Sequence, residues 1–348
     1  MDDLDRQLLN RIQSDFPLVV RPFAELGQPL GISEDETIAR IEALKAGRIV
    51  RQISAIFDTK SLGYKSSLVA MRVDPAHITE AARIINGHPG VTHNYERNHQ
   101  YNLWFTIAVP PTSDLEAIVQ RIHEMAGAEV TRVMYTLRLF KIGVNLDMTG
   151  ERPLDAQATP EYREQDRVRS RDFTVSELDK MVIRELQEDL PIAARPFGAL
   201  AERIGLTEDG LFETMHSLVE RGFMRRMAAI LYHRRAGFRA NGMGVWAVPE
   251  DDVLEIGEQM AAFQNVSHCY RRPTYPDWPY NVFTMVHGQS VEQCEEILAA
   301  ISKKTGVTEY ISLYSTREYK KTRLLFYTDA HEKWEAKWMP QVESVPAT

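Results

Sequence analysis

Cysteine is nearly missing from this chain. Cys269 and Cys294 are the only two in 348 residues, and neither belongs to a CxxC pair. Neither a disulfide framework nor a thiolate zinc site therefore organises the fold. No apolar run approaches the roughly 18 residues that cross a bilayer. The opening MDDLDRQ is acidic, where a secretory signal would be basic and then apolar. Positive charge is not in excess either: 41 Lys and Arg face 49 Asp and Glu, for a net charge of -8. Such a surface is not built to coat nucleic acid or an anionic membrane, although it leaves room for a local basic pocket. What is present is ordinary for a globular protein, with 44% hydrophobic and 26% charged residues. The length suggests two or three domains. These features predict a reduced, cytoplasmic protein with no membrane partner.

The chain repeats itself. LDRQLLNRIQSDFPLVVRPFAEL (4–26) matches LDKMVIRELQEDLPIAARPFGAL (178–200) at nine of 23 positions, including both Arg-Pro-Phe triplets. The match continues through Leu30-Gly31-Ile32 against Ile204-Gly205-Leu206. It resumes where VTHNYERNHQYNLWFT (91–106) faces VSHCYRRPTYPDWPYNVFT (266–284), and again where Arg138 and Lys141 face Arg317 and Lys320. Two diverged copies of one unit follow from this self-similarity.

Each copy reads as a helical part and a mixed part. Leu4, Leu8, Leu9 and Ile12 fall at helical spacing, and the run stops before Pro17. A short helix follows Pro22, and Ser33-Glu34-Asp35-Glu36 reads as a capping box opening a third helix. A strand pair ending near Phe57 would close a winged helix-turn-helix. The remainder reads strand, helix, strand, strand, helix, strand, a ferredoxin-like order. The expected class is α+β. The domains are a winged helix-turn-helix over 1–60, a βαββαβ domain over 61–146, a charged linker over 147–175, a second winged helix-turn-helix over 176–234, a second βαββαβ domain over 235–328 and a tail over 329–348. Trp334 and Trp338 leave that tail either docked as a short helix or loose.

This layout, with LDRQLLNRIQSD, LGIS and GRIVRQISAIFD, resembles the Lrp/AsnC family of transcriptional regulators, which would imply DNA binding. The third helix argues against that function. It opens on Ser33-Glu34-Asp35-Glu36 in one copy and Thr207-Glu208-Asp209-Gly210 in the other, where a DNA reader needs donors and cations. Acidic residues at a helix start also simply suit its dipole. Arg48, Arg51, Arg221, Arg225 and Arg226 could touch phosphates or the carboxylates of a small ligand.

The strongest local pattern is the duplicated His-x-Tyr-x-Arg: His93, Tyr95, Arg97 and His268, Tyr270, Arg272. Strand alternation puts each set, with Val91 or Val266, on one face. The opposite faces, Thr92-Asn94-Glu96 and Ser267-Cys269-Arg271, are polar too, so neither strand shows the apolar face expected against helices. Such departures gather at functional sites. His99 has no counterpart in the second copy.

HNYERNHQYNLWFT and HCYRRPTYPDWPYNVFTMVHG (268–288), together with PLVVRPF and PIAARPF, resemble the siroheme decarboxylases, in the form that fuses NirD-like and NirL-like halves. The resemblance covers both copies. It implies removal of the carboxyl groups of the C12 and C18 acetates of siroheme, giving 12,18-didecarboxysiroheme on the way to d1-type heme or heme. An iron macrocycle with eight carboxylates needs flat walls and several cations. Tyr95, Tyr101, Trp104, Tyr270, Trp278 and Tyr280 could supply walls. Arg51, Arg97, Arg138, Lys141, Arg225, Arg272 and Arg317 could bind carboxylates. His93 and His268 suit proton donation, with Tyr95 and Tyr270 assisting and Arg97 and Arg272 orienting carboxylates. His99 is either a further acid or a ligand to the siroheme iron. No added cofactor is expected, since the tetrapyrrole is its own electron sink. No DNA partner is expected, and the two βαββαβ domains are expected to pair as a pseudo-dimer around the tetrapyrrole; a homodimer of such chains stays open. The alternatives are a tetrapyrrole sensor and a DNA-binding regulator.

Overall fold

The computed structural model describes residues 1–14, 16–142, 174–232 and 240–340. The expected linker therefore lies outside the described residues, apart from its last two positions. Packing divides the chain into two units that do not follow the two copies. One comprises Met1–Leu62 and Thr136–Ser312; the other comprises Gly63–Tyr135 and the chain from Leu313 onward.

In the first unit, α1 (Asp3–Ser14) buries Leu8, Leu9 and Ile12. Pro22 opens α2 (Pro22–Gly27), and α3 (Glu34–Ala46) is capped by the Ser33 side chain, which accepts from the Glu36 N–H. The single strand β1 (Val50–Phe57) follows. The second copy repeats this arrangement with α6 (Glu177–Leu186), α7 (Pro196–Arg203), α8 (Glu208–Glu220) and β7 (Met224–Leu231). The expected local wing hairpin does not form among the described residues, where each copy supplies one strand. β1 and β7 instead pair antiparallel with each other, Ser54 opposite Ala228. Reciprocal bonds lock the pair: the Phe16 N–H donates to the Met227 carbonyl at 2.9 Å, and the Leu190 N–H to the Ile53 carbonyl at 2.8 Å. Phe16 also meets Phe197 edge to face at 6.5 Å.

The acidic starts of the third helices are partly neutralised from within. Arg21 pairs with Glu34, and Arg195 with Glu208 at 2.5 Å, with both glutamates almost buried. Only the later carboxylates of each helix start face outward as the sequence suggested. Arg221, grouped above with the wing cations, is held by a two-pronged bond to the buried Asp179, at 2.9 and 2.5 Å.

The second unit holds β2 (Lys65–Arg72), α4 (Ile78–Asn86), β3 (Val91–Arg97), β4 (Leu103–Val109), α5 (Leu115–Ala126) and β5 (Val130–Met134). The sheet order is β5-β2-β4-β3. The last strand of the expected βαββαβ order breaks after Met134. Its second half, β6 (Arg138–Ile142), pairs in the first unit with β9 (Val266–Arg271). That sheet also contains β8 (Ala240–Trp246) and β10 (Val282–Gly288), with α9 (Val253–Ala262) and α10 (Val291–Thr305). β11 (Tyr310–Lys321) completes the exchange, since its residues from Ser315 on pair with β3. Each copy thus gives its terminal strand segment to the other copy's sheet. Gly257 on α9 is required by this arrangement: a Cβ there would come within 2.3 Å of the Phe140 ring of β6.

The tail docks. Asp329 precedes α11 (Ala330–Trp338), whose Trp334 is buried in a core with Ala82, Ile85, Val91 and Ile122, with Trp338 packed alongside.

Candidate active site

Two β-bulges decide where the duplicated motif points. In copy one the register of β3 on β4 shifts between Val91 and His93, so Val91 faces Ile107 and His93 faces Thr106. In copy two Val266 faces Val286 and His268 faces Met285, which leaves Ser267 as the extra residue. A bulge turns the following side chains to the other face. The expectation that Val91 and Val266 share a face with the histidines is therefore wrong. Val91 enters the helix-side core, and Asn94 follows it, donating to Asn86 Oδ1 at 3.0 Å. Cys269 likewise turns toward α9, with Sγ 3.6 Å from the Gly257 carbonyl. His93 and Tyr95, and His268 and Tyr270, are left on the opposite face by alternation.

The two sets have the same geometry. The His93 and Tyr95 rings lie 6.2 Å apart, and those of His268 and Tyr270 lie 6.1 Å apart. The guanidinium carbons of Arg97 and Arg272 stand 5.7 and 4.8 Å from the Tyr95 and Tyr270 ring centres. Both arginines are buried, and burial pulls each guanidinium down to about 10. Arg97 Nη1 donates to the Leu313 carbonyl at 2.9 Å, but its Nε has no partner. Among the described residues no carboxylate pairs with it. A buried cation left without a counter-charge costs several kcal/mol, and such arrangements concentrate where an anion binds.

The bulged residues hold the imidazoles. Thr92 Oγ1 lies 2.9 Å from His93 Nδ1 and 2.7 Å from Thr106 Oγ1. Ser267 Oγ lies 2.8 Å from His268 Nδ1. In both copies Nδ1 is thus engaged by a hydroxyl. His99 accepts the Tyr101 N–H on its Nδ1 at 3.1 Å, and burial lowers its pKa. That bond keeps the neutral ring's hydrogen on Nε2, which suits donation and opposes neutral coordination of iron through that nitrogen. Among the described residues no group of three or more His, Cys, Asp or Glu side chains is placed to hold a metal ion.

The expected wall and cation residues fall in different settings. Tyr101, Trp104 and Trp278 are buried to within 1% of their surface, and Trp104 stands opposite Tyr95 across β3 and β4. Trp104 Nε1 donates to the Tyr101 carbonyl at 2.6 Å, and Trp278 packs edge-on against Tyr280 at 5.2 Å. Tyr280 is half-buried, with burial raising its hydroxyl pKa. Lys141 does not face outward. Buried, it donates to the Phe263 carbonyl at the end of α9 at 2.8 Å. Lys320 does the same to the Asn86 carbonyl at the end of α4, also at 2.8 Å. A cation at a helix C-terminus satisfies free carbonyls and opposes the dipole, so this duplicated pair is architectural. Arg138 and Arg317 are exposed, Arg138 4.0 Å from Glu258 and Arg317 stacked 4.7 Å over Tyr319. Arg51 and Arg225 occupy equivalent half-buried positions of β1 and β7, in the two-stranded ladder rather than in the sheets that carry the histidines.

Sequence reasoning passed over four groups. Thr92 and Ser267 are hydroxyl residues directly before each histidine, a duplicated signal that was readable. Asn102 and Asn281 each make a reciprocal pair with a backbone, Asn102 with Val73 at 3.0 and 2.7 Å and Asn281 with Val248 at 3.0 and 2.8 Å. These pegs fix the start of the strand beside the histidine strand in both copies.

The geometry can be set beside known proteins. The AsnC-like ligand binding domain matches residues 61–141 and 235–320, and the siroheme decarboxylase NirDL-like HTH domain matches 5–51 and 179–225. The siroheme decarboxylase of Hydrogenobacter thermophilus is 42% identical over 94% of this chain and 96% of its own. The siroheme decarboxylase beta subunit of Methanosarcina barkeri is 42% identical over 41% of this chain and 95% of its own, so a single subunit there corresponds to about half of this chain. A crystal structure of the siroheme decarboxylase NirDL in complex with an iron-uroporphyrin III analogue superposes with a TM-score of 0.75, at 36% identity, covering 97% of this chain and 98% of that one. With both helix-turn-helix copies matching that specific kind and likeness running the whole length, the chain belongs to the NirDL-type siroheme decarboxylase family.

Proposed function

We propose that this protein is a carboxy-lyase that removes the carboxyl groups of the C12 and C18 acetates of siroheme to give 12,18-didecarboxysiroheme. The observation that carries the reading is the duplicated His-Tyr-Arg face, in which a buried arginine stands four residues along the chain from an imidazole whose Nδ1 is held by a hydroxyl.

The chemistry follows from these groups. A substrate acetate is ionised at neutral pH and pairs with the buried guanidinium of Arg97 or Arg272. Cleavage of the bond to the carboxylate carbon releases carbon dioxide, and the electron pair is taken into the conjugated macrocycle. Nε2 of His93 or His268 then gives a proton to the methylene carbon, leaving a methyl group. One proton is consumed for each carbon dioxide lost. Tyr95 and Tyr270, lying between imidazole and guanidinium, hold the acetate by hydrogen bonding. The siroheme iron belongs to the substrate, and no further cofactor enters this scheme.

The test is anaerobic incubation of the purified protein with siroheme, followed by mass analysis of the tetrapyrrole. A product lighter by two carbon dioxide units supports the reading. Siroheme recovered bound but unchanged overturns it in favour of a sensor. Salt-sensitive, sequence-selective DNA binding without turnover would favour a regulator.

A further inference from the structure

The two copies differ beside the catalytic histidine. In copy two, Ser267 Oγ lies 2.8 Å from His268 Nδ1 and 2.6 Å from Nε2 of a second imidazole, His287 on β10. The position equivalent to His287 by strand register is Ala108 in copy one, since Ile107 faces Val91 as Val286 faces Val266. There the hydroxyl of Thr92 leads from His93 to another hydroxyl, that of Thr106.

A serine hydroxyl has one proton to donate. Placed between two imidazole nitrogens at these distances, it donates to one and accepts from the other, so one of the two facing nitrogens carries a hydrogen. The backbone carbonyl of Met285 competes for that proton only at 3.4 Å. The bulge that aims His268 also buries Ser267, while both rings stay half-exposed.

We propose that His287 is a positioning and proton-relay residue for His268, acting through Ser267; the proposal rests on the decarboxylase reading above. As His268 Nε2 gives its proton to the substrate methylene, Ser267 passes its hydroxyl proton to His268 Nδ1 and takes one from protonated His287 Nε2. Each bond broken is matched by one formed. His287 is then recharged by solvent, and His268 is never left as an imidazolate. Copy one lacks this reservoir.

The test uses the full-length protein with siroheme. His287→Ala and Ser267→Ala should each lower kcat by about tenfold or more, within the range of a single proton-transfer group, with KM unchanged. Added imidazole should restore His287→Ala but not Ser267→Ala. Ser267→Thr, which keeps the hydroxyl as copy one does, should stay near wild type. The double variant should be no slower than either single one, because both break one wire. Wild-type kcat in His287→Ala, or independent additive losses, would overturn the relay. If the wild type releases no carbon dioxide, the decarboxylase reading fails, and the hydrogen-bonded chain is then judged by imidazole nitrogen NMR. His268 Nδ1 should shift in both His287→Gln and Ser267→Ala, and an unmoved resonance would dismiss the chain.

Discussion

Acid should destabilise the second unit through one buried imidazole. His88 has no exposed surface; its Nδ1 accepts the Gly90 N–H at 3.0 Å, and its Nε2 has no partner. The ring meets Trp334 at 4.5 Å and His331 at 5.5 Å. Burial, reinforced by His331 and Lys320, pushes its pKa down from 6.5 to about 3, and burial pulls His331 to about 4. A folded pKa below the unfolded one means that the unfolded chain binds the proton more readily. The stability of the neutral ring is therefore complete above about pH 6.5 and is lost as pH falls toward the folded value. At about 1.4 kcal/mol per unit, His88 alone removes about 3 kcal/mol by pH ~4.5, a large share of the 5–15 kcal/mol typical of a domain. The assay is urea unfolding near pH 7 and near pH 4.5, with hydrogen exchange read on the peptides containing α4 and α11. His88→Asn keeps an acceptor for Gly90 and cannot titrate, so its stability should fall less between the two pH values. If both proteins lose the same amount, the buried neutral imidazole is not the cause.

Three further outcomes are expected. Trp334→Ala should cost about 3–5 kcal/mol and raise exchange through α4 and α5, because the indole fills the core of the second unit; unchanged exchange there would show the tail to be an appendage. Arg97→Met should leave the ligand-free protein as stable or up to a few kcal/mol more stable, since it removes a buried unpaired cation, yet weaken siroheme binding at least tenfold by absorbance titration. Lower stability together with normal binding would contradict the role given to Arg97. Asn102→Ala should cost about 1–3 kcal/mol by orphaning the Val73 backbone groups and, by loosening the strand beside His93, should reduce turnover; thermal melts and kcat measured together would check both.

The repeat and the element order could be read from the sequence because identities at fixed offsets and apolar spacing are local properties. Pairing partners could not. A strand such as VRQISAIF does not state whether it will meet a hairpin neighbour or its copy 174 residues away, and here it meets the copy. The broken strand after Met134 reads as one run because the turn between its halves carries no proline or glycine. The bulge escaped for a related reason: period-two alternation has no mark for an inserted residue, so Val91 was placed with His93 when it belongs to the core. Lys141 misled by its duplication, which signalled importance without saying whether the purpose was chemistry or helix capping.

That ambiguity resolves along a physical line. Asn102 and Asn281, like Lys141 and Lys320, keep the same bonds in both copies, and those bonds run to backbone. The elements that would read DNA are committed inward in the same duplicated way: each strand after the third helix is paired with its copy, and each RPF arginine is closed on the glutamate that starts the recognition helix. Turning those arginines to phosphate would mean leaving a nearly buried glutamate without its partner twice. Groups present in only one copy are of another kind. His99, stacked on Tyr101 in copy one, and His287, joined to His268 in copy two, both place an extra imidazole near a shared His-Tyr-Arg face, by different routes. A backbone shared by two halves cannot itself distinguish two acetates of one macrocycle. Side chains that differ between the halves can, and His99 and His287 are two such side chains.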